Sequence, residues 1–191
     1  MSDFDAVSVR EISGQEICKN DFDKHDVALV LDPTLLIDQS FYLNMIKDRV
    51  QEKFDCITYI LDDSAKKNEL LNKFHSKYQH KNISNLLTKS STLSIEDWVA
   101  SFKTTEFVIT DSFHGMVFSI IFNKQFVVLL NNNRGKDRFI SLCSLLGLND
   151  RLINPNQAVE LDFAPIDYLE VNKKLEILKV SSKKFLLEVL E

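Results

Sequence analysis

The chain has 191 residues, 45% of them hydrophobic and 27% charged, which is enough for one sizeable core, and its length favours a single domain over residues 1-191. A formal net charge of -5 argues against nucleic acid or an anionic membrane surface as the main partner, while leaving room for a local basic site that holds a phosphate. Cys18, Cys56 and Cys143 are widely spaced, lack a C-x-x-C pattern and sit in apolar contexts, so they read as buried, reduced thiols. The start of the chain has no leader-like pattern and no run approaches about 18 apolar residues, so a cytoplasmic protein without a transmembrane segment is expected.

In chain order, FDAVSVR (Phe4 to Arg10) reads as a strand, and Ser13 stands at capping-box spacing before Glu16, predicting a helix through Cys18. DVALVL, from Asp26 to Leu31, is continuously apolar after its first residue and β-branched, as expected of a strand buried on both faces. A turn and a helix from about Gln39 to Val50 follow, then a strand from Phe54 to Leu61 and a helix from Ser64 to about Tyr78 with Lys and Asn outward. Asn82 to Leu87 is a weaker strand, and Ser94 caps IEDWVASF with Asp97 in the first turn. A strand over Phe107 to Thr110, a helix over His114 to Phe122 and a strand over Phe126 to Leu130 come next, then a helix from Asp137 to Leu146 with Gly147 as its C-cap. Strand and helix in repeated alternation predict an α/β fold, a Rossmann-like parallel sheet flanked by helices. From about residue 154 to 191 the pattern changes to leucines at helical spacing among lysines and glutamates, predicting one or two amphipathic helices packed on that domain.

The chemistry concentrates in TDSFHG, residues 110–115, where a buried strand turns into an apolar helix. His114 there has chemical neighbours, whereas His25, His75 and His80 lie in polar stretches that read as solvated surface. Histidines exchange protons near neutrality, so His114 is either an acid/base group or a cap whose ring bonds the backbone. Asp111 and Ser112 are both good N-cap residues, and Gly115 serves either close approach of a ligand or tight packing of helix on strand. Arg10 would end a strand at the same sheet edge, and the loop NNNRGKDR adds Arg134, Lys136 and Arg138. Basic groups there and a helix N-terminus would suit an anion. Only four glycines are present, with no G-x-G-x-x-G or Walker pattern, and no cluster of ligands in the sequence suggests a metal.

TDSFHGMVFSIIFNKQFVVL resembles the elbow, helix and strand of the polysaccharide pyruvyl transferase family, which carries D-S-F-H-G or R-x-H-G at this point. VSVRE with the later LVLDPTLLI, and KDRFISLCSLLGLNDRLI, are similar to the same family in the same order, so the likeness runs from Ala6 to Ile153. The resemblance implies the C-terminal half of a B-type glycosyltransferase fold and transfer of the enolpyruvyl group of phosphoenolpyruvate onto two sugar hydroxyls to give a pyruvate ketal. It makes His114 the active-site histidine, Arg10 the donor-phosphate arginine and Arg138 a basic residue near the donor. It requires no cofactor besides the donor substrate. Ser112 stands where some members have arginine, a charge that Arg134 or Arg138 would have to replace. The family's N-terminal half is expected to be missing, so a partner chain or a homo-oligomer would complete the cleft, and a glycan or lipid-linked sugar would be the acceptor. Two alternatives stay open: a non-catalytic or split module, and half of a sugar-nucleotide-dependent glycosyltransferase.

Overall fold

The computed structural model describes residues 4–49, 52–87, 93–131, 135–158 and 160–190. In chain order its elements are β1 (Ser8–Val9), α1 (Ile12–Phe22), β2 (Ala28–Leu29), α2 (Pro33–Leu36), α3 (Gln39–Met45), β3 (Phe54–Tyr59), α4 (Ala65–Tyr78), β4 (Ile83–Asn85), α5 (Ile95–Thr104), β5 (Thr105–Thr110), α6 (Phe113–Ile121), β6 (Gln125–Leu129), α7 (Lys136–Leu146), a 3-10 turn (Asn149–Arg151), β7 (Leu152–Ile153) and α8 (Tyr168–Leu190). Two compact units share the chain. A central unit comprises Asp38–Arg134 and Asp150–Ile166, and a terminal unit comprises Met1–Ile37, Gly135–Asn149 and Asp167–Glu191.

The central unit is built on a five-stranded, all-parallel sheet in the order β4-β3-β5-β6-β7. Successive side chains of a strand point to opposite faces, so the pairing of Cys56 with Phe107 and of Ile109 with Val127 puts these residues on one face. Leu70 and Phe74 of α4 join Cys56, Ile109, Val127, Leu129 and Ile153 in the buried cluster on that face. The other face carries Tyr59, whose ring meets Trp98 of α5 at 5.3 Å, and Trp98 in turn meets Phe118 of α6 at 5.1 Å. Covering both faces lets Phe107 to Ile109 of β5 and Phe126 to Leu129 of β6 be apolar without interruption, and explains why they read as continuous runs rather than alternating ones.

The strand order creates one switch point. The chain leaves β3 to form β4 on one side, then crosses back to place β5 on the other side and continues outward through β6 and β7. The connections after β3 and β5 therefore diverge, and their carboxyl ends, Tyr59 and Thr110, are paired neighbours. Open parallel sheets bind ligands in the crevice that opens outside such strand ends.

In the terminal unit, β1 and β2 pair in parallel with each other alone. Three expectations change here. DVALVL is not buried on both faces, since Ala28 and Leu29 are half-buried in a ribbon with one neighbour per strand. Arg10 does follow β1, but β1 is not a strand of the five-stranded sheet, so the shared sheet edge read from the sequence is not formed. The capping box is also replaced: α1 begins at Ile12 after Glu11, with Ser13 inside its first turn, and the Ile12 amide donates to the Ser141 hydroxyl of α7 at 3.0 Å. The C-terminal segment forms one 23-residue helix, α8, whose Ser182 hydroxyl accepts from the Leu31 amide at 3.0 Å beside β2. Gly147 is the expected C-cap of α7, at φ 77. Among the described residues no helix is long and apolar enough to cross a membrane.

Candidate functional site

The elbow between β5 and α6 lies at the switch point. Ser112 is the N-cap of α6, its hydroxyl accepting from the Gly115 amide at 3.4 Å. Asp111 is not a cap. Its carboxylate reaches to the loop after β3, accepting from the Leu61 amide at 2.6 Å, the Asp62 amide at 3.0 Å and the Lys67 ammonium at 2.5 Å. Both side chains of this ion pair are buried, with 5% of Lys67 and none of Asp111 exposed. The Lys67 ammonium also donates to the Asp62 carbonyl at 2.7 Å, and Asn131, just beyond β6, donates to the Asp62 carboxylate at 2.5 Å. The carboxyl ends of β3, β5 and β6 are thus tied by one polar network. Its members supply the charge compensation that a buried pair requires.

Gly115 serves tight packing. A Cβ at this position would meet Thr110 Cβ and Cγ2 at 3.1 Å, and Thr110 Oγ1 nearer still. Thr110 has little freedom to retreat, because Oγ1 donates to the Tyr59 carbonyl at 2.7 Å and accepts from the Ser112 amide at 3.0 Å. The glycine lets α6 begin directly against β5, which holds the elbow at the sheet edge.

His114 is the exposed residue of α6; the other eight are buried. It stands on the wall of an open cavity of about 710 Å³ in the central unit, with Ser112, Tyr59, Trp98, Leu86 and Phe118 among the lining residues. Three aromatic rings, the N-caps of two helices (Ser94 and Ser112) and an imidazole therefore share one concave surface. Burial, with help from the Asp111 charge, pushes the Tyr59 phenol above its ordinary pKa, so it remains an O–H donor at neutral pH. The Trp98 indole N–H is buried and has no hydrogen-bond partner, a donor of a kind that usually finds one. The two helix termini differ: α5 has Glu96 and Asp97 in its first turn, whereas α6 has no acidic residue there. The positive end of the α6 dipole is the better place for an anion.

Of the remaining sequence candidates, Arg10 and Arg138 belong to the terminal unit, and Arg134 lies outside the described residues. Arg10 pairs with the buried Asp32 carboxylate rather than with Glu11. Burial pushes Asp32 up, but hydrogen bonds from Thr34 and Arg10 outweigh it and hold the carboxyl below its ordinary value. The Arg10 side chain stays 43% exposed and lines a cavity of about 340 Å³ with Ser8, Val30 and Leu186. Arg138 lies in the first turn of α7, its guanidinium 5.7 Å from the centre of the Phe139 ring. Among the described lining residues of the cavity beside His114 there is no lysine or arginine. Sequence reasoning passed over Lys67, one of four lysines in a helix read as having Lys and Asn outward, and singled out neither Trp98 nor Tyr59. The buried Asp111 was the available signal, because a carboxylate behind an apolar strand needs a cation from elsewhere in the chain. His75 and His80, read as solvated, are half-buried and face each other.

These features define a Rossmann-like α/β protein with an open crevice at the switch point of its parallel sheet. The model of the polysaccharide pyruvyl transferase family matches residues 1–133, and the chain belongs to that family. No curated protein and no solved structure matches the chain significantly.

Proposed function

We propose that the chain transfers the enolpyruvyl group of phosphoenolpyruvate to two hydroxyls of a sugar in a cell-surface glycan or its lipid-linked precursor, at a cytoplasmic stage, forming a pyruvate ketal. The observation that carries the reading is the exposed His114 on an otherwise buried helix, at a cavity wall behind an immobilised elbow.

In this reading, protonation of the methylene carbon makes an oxocarbenium-like centre at the adjacent carbon, and one sugar hydroxyl attacks it. Phosphate then leaves, the second hydroxyl closes the ketal, and the two hydroxyl protons end on the new methyl group and on phosphate. His114 relays these protons, a contribution typically worth about 10²–10⁴-fold. Ser112 and the first turn of α6 receive an anionic group of the donor, and Gly115 keeps that turn against β5. Tyr59 and Trp98 offer ring faces, and the Tyr59 phenol an O–H donor, suited to a sugar, whose C–H face stacks and whose hydroxyls accept. Arg10 keeps the role of phosphate-binding arginine, with Asp32 fixing one edge of its five-donor fork; Arg138 and Arg134 are auxiliary cations for the donor.

The test pairs binding with turnover. Phosphoenolpyruvate is expected to raise the melting temperature, less so in Arg10→Ala, and His114→Ala is expected to abolish phosphate release with a panel of simple glycosides while keeping the fold. Full turnover by His114→Ala would overturn the assignment. Protection by nucleotide sugars alone would instead indicate a glycosyltransferase, and a stable fold with no ligand response would indicate a non-catalytic module whose cleft a partner chain or second copy completes.

A further inference from the structure

We propose that Cys56, His75 and His80 form a binding site for zinc or a similar borderline-soft divalent cation, separate from the elbow. The three residues come from three consecutive pieces of the central unit: β3, the last turn of α4, and the turn that follows it. Their ligating atoms all lie within 4.8 Å of one another. The two imidazoles present Nδ1 to Nδ1 at 3.2 Å. Two nitrogens bound to one tetrahedral zinc at about 2.05 Å each stand about 3.3 Å apart. The histidine pair is therefore already spaced for a shared ion, and an Sγ as far as 4.8 Å from a ring nitrogen has to close by about 1 Å to share it.

The surroundings hold this arrangement. Gln79 caps α4 in the left-handed conformation at φ 54, and the His80 amide donates back to the His75 carbonyl at 3.1 Å, folding the turn so that the rings meet. The next two amides, of Lys81 and Asn82, donate to the Asp55 carboxylate at 2.8 and 3.0 Å, which fastens the turn to β3. Tyr78 stacks on His80 at 5.9 Å and 15°, and the Phe107 ring lies 5.7 Å from it. Burial keeps both imidazoles below their ordinary pKa, leaving them neutral with a lone pair to give, while the Asp55 and Glu106 charges near His80 favour a cation. Cys56 is fully buried, and its thiol makes a weak contact with the Ile57 carbonyl at 3.6 Å.

The proton balance is definite. With no metal, one Nδ1 donates to the other; on binding, that proton moves to Nε2 of the same ring, and the Cys56 thiol proton leaves to solvent. One proton is released for each ion, so affinity should rise about tenfold per pH unit around neutrality. The half-exposed histidines leave the fourth coordination position to water. Cys56 pairs in register with Phe107, three residues and roughly 10 Å before the Thr110 end of β5. The site is therefore a cross-link between β3 and the end of α4 rather than a participant at the elbow.

The experiment is a titration of the full chain, stripped with a chelator, with Co²⁺ followed by absorbance, then displacement by Zn²⁺. The expected result is one equivalent bound, with the visible bands of a four-coordinate ion and a near-ultraviolet thiolate-to-cobalt charge-transfer band. Cys56→Ser should lose the charge-transfer band, and His80→Gln, near the surface and safe for folding, should weaken binding about tenfold or more, the scale at which perturbed metal shells are felt. Zn²⁺ should also raise the melting temperature of the unaltered protein but not of His80→Gln. Absence of Co²⁺ and Zn²⁺ binding at micromolar concentration, or a charge-transfer band that survives in Cys56→Ser, would overturn the proposal.

Discussion

The buried Lys67–Asp111 pair gives the most demanding test of how the elbow is held. Lys67→Met keeps the length and apolar stem of the side chain and removes the ammonium, leaving the Asp111 carboxylate with the Leu61 and Asp62 amides alone and the Asp62 carbonyl without its lysine donor. Breaking a buried pair from one side costs about 3–5 kcal/mol, because the surviving charge stays out of water. The two amide donors still compensate part of the carboxylate, which places the expected loss near the lower end, about 3 kcal/mol. For a urea m-value of about 1–3 kcal/mol/M, that loss moves the unfolding midpoint down by roughly 1–3 M. Adding Asp111→Asn to Lys67→Met removes the stranded charge while keeping one acceptor for the loop, and the double variant should recover about 1 kcal/mol or more relative to Lys67→Met. A cost under about 1 kcal/mol for Lys67→Met, or no coupling between the two positions in the cycle, would show that the pair is not what fastens the loop after β3 to the elbow.

Two further outcomes follow from the same unit. Gly115→Ala drives a methyl into Thr110, which is pinned by hydrogen bonds on both sides, and should destabilise by about 1–3 kcal/mol in urea or thermal unfolding; a variant as stable as the parent would show that α6 slides off β5 at little cost. Burial lowers the pKa of His75 and His80 below the ordinary 6.5, so their contribution to stability is complete above about that pH and is lost as pH falls through their folded values, where the unfolded chain takes up protons first. In chelator-treated protein the melting temperature should therefore begin to fall as pH drops below the ordinary histidine value of 6.5, and His80→Gln should flatten that fall. An acid branch of equal slope in the variant would place the proton uptake elsewhere.

What could be read from the sequence follows the range of the interactions involved. The stretch from β3 to β6 was legible because apolar runs, the Ser94 cap and the apolar helix after Ser112 are set by neighbours in the chain. The ends of the elements in the terminal unit were not: β1 and β2 shrink to two residues each, since a two-stranded ribbon lets few residues pair, and α1 starts at Ile12 rather than behind a Ser13 cap. Contacts between distant segments escaped altogether. Lys67 is pulled out of a lysine-rich helix by a carboxylate 44 residues later, and the two histidines meet only because the α4 cap folds the chain back. The elbow was legible as a residue cluster but not as a switch point, because that property belongs to the strand order. TDSFHG would carry the same residues if β5 lay at an edge of the sheet, yet it would then have no diverging neighbour to open a crevice. It is the crossing of the chain from β4 over β3 to β5 that sets His114 beside Tyr59 and Trp98 at one cavity wall, so the chemistry resides in the motif and the site resides in the topology.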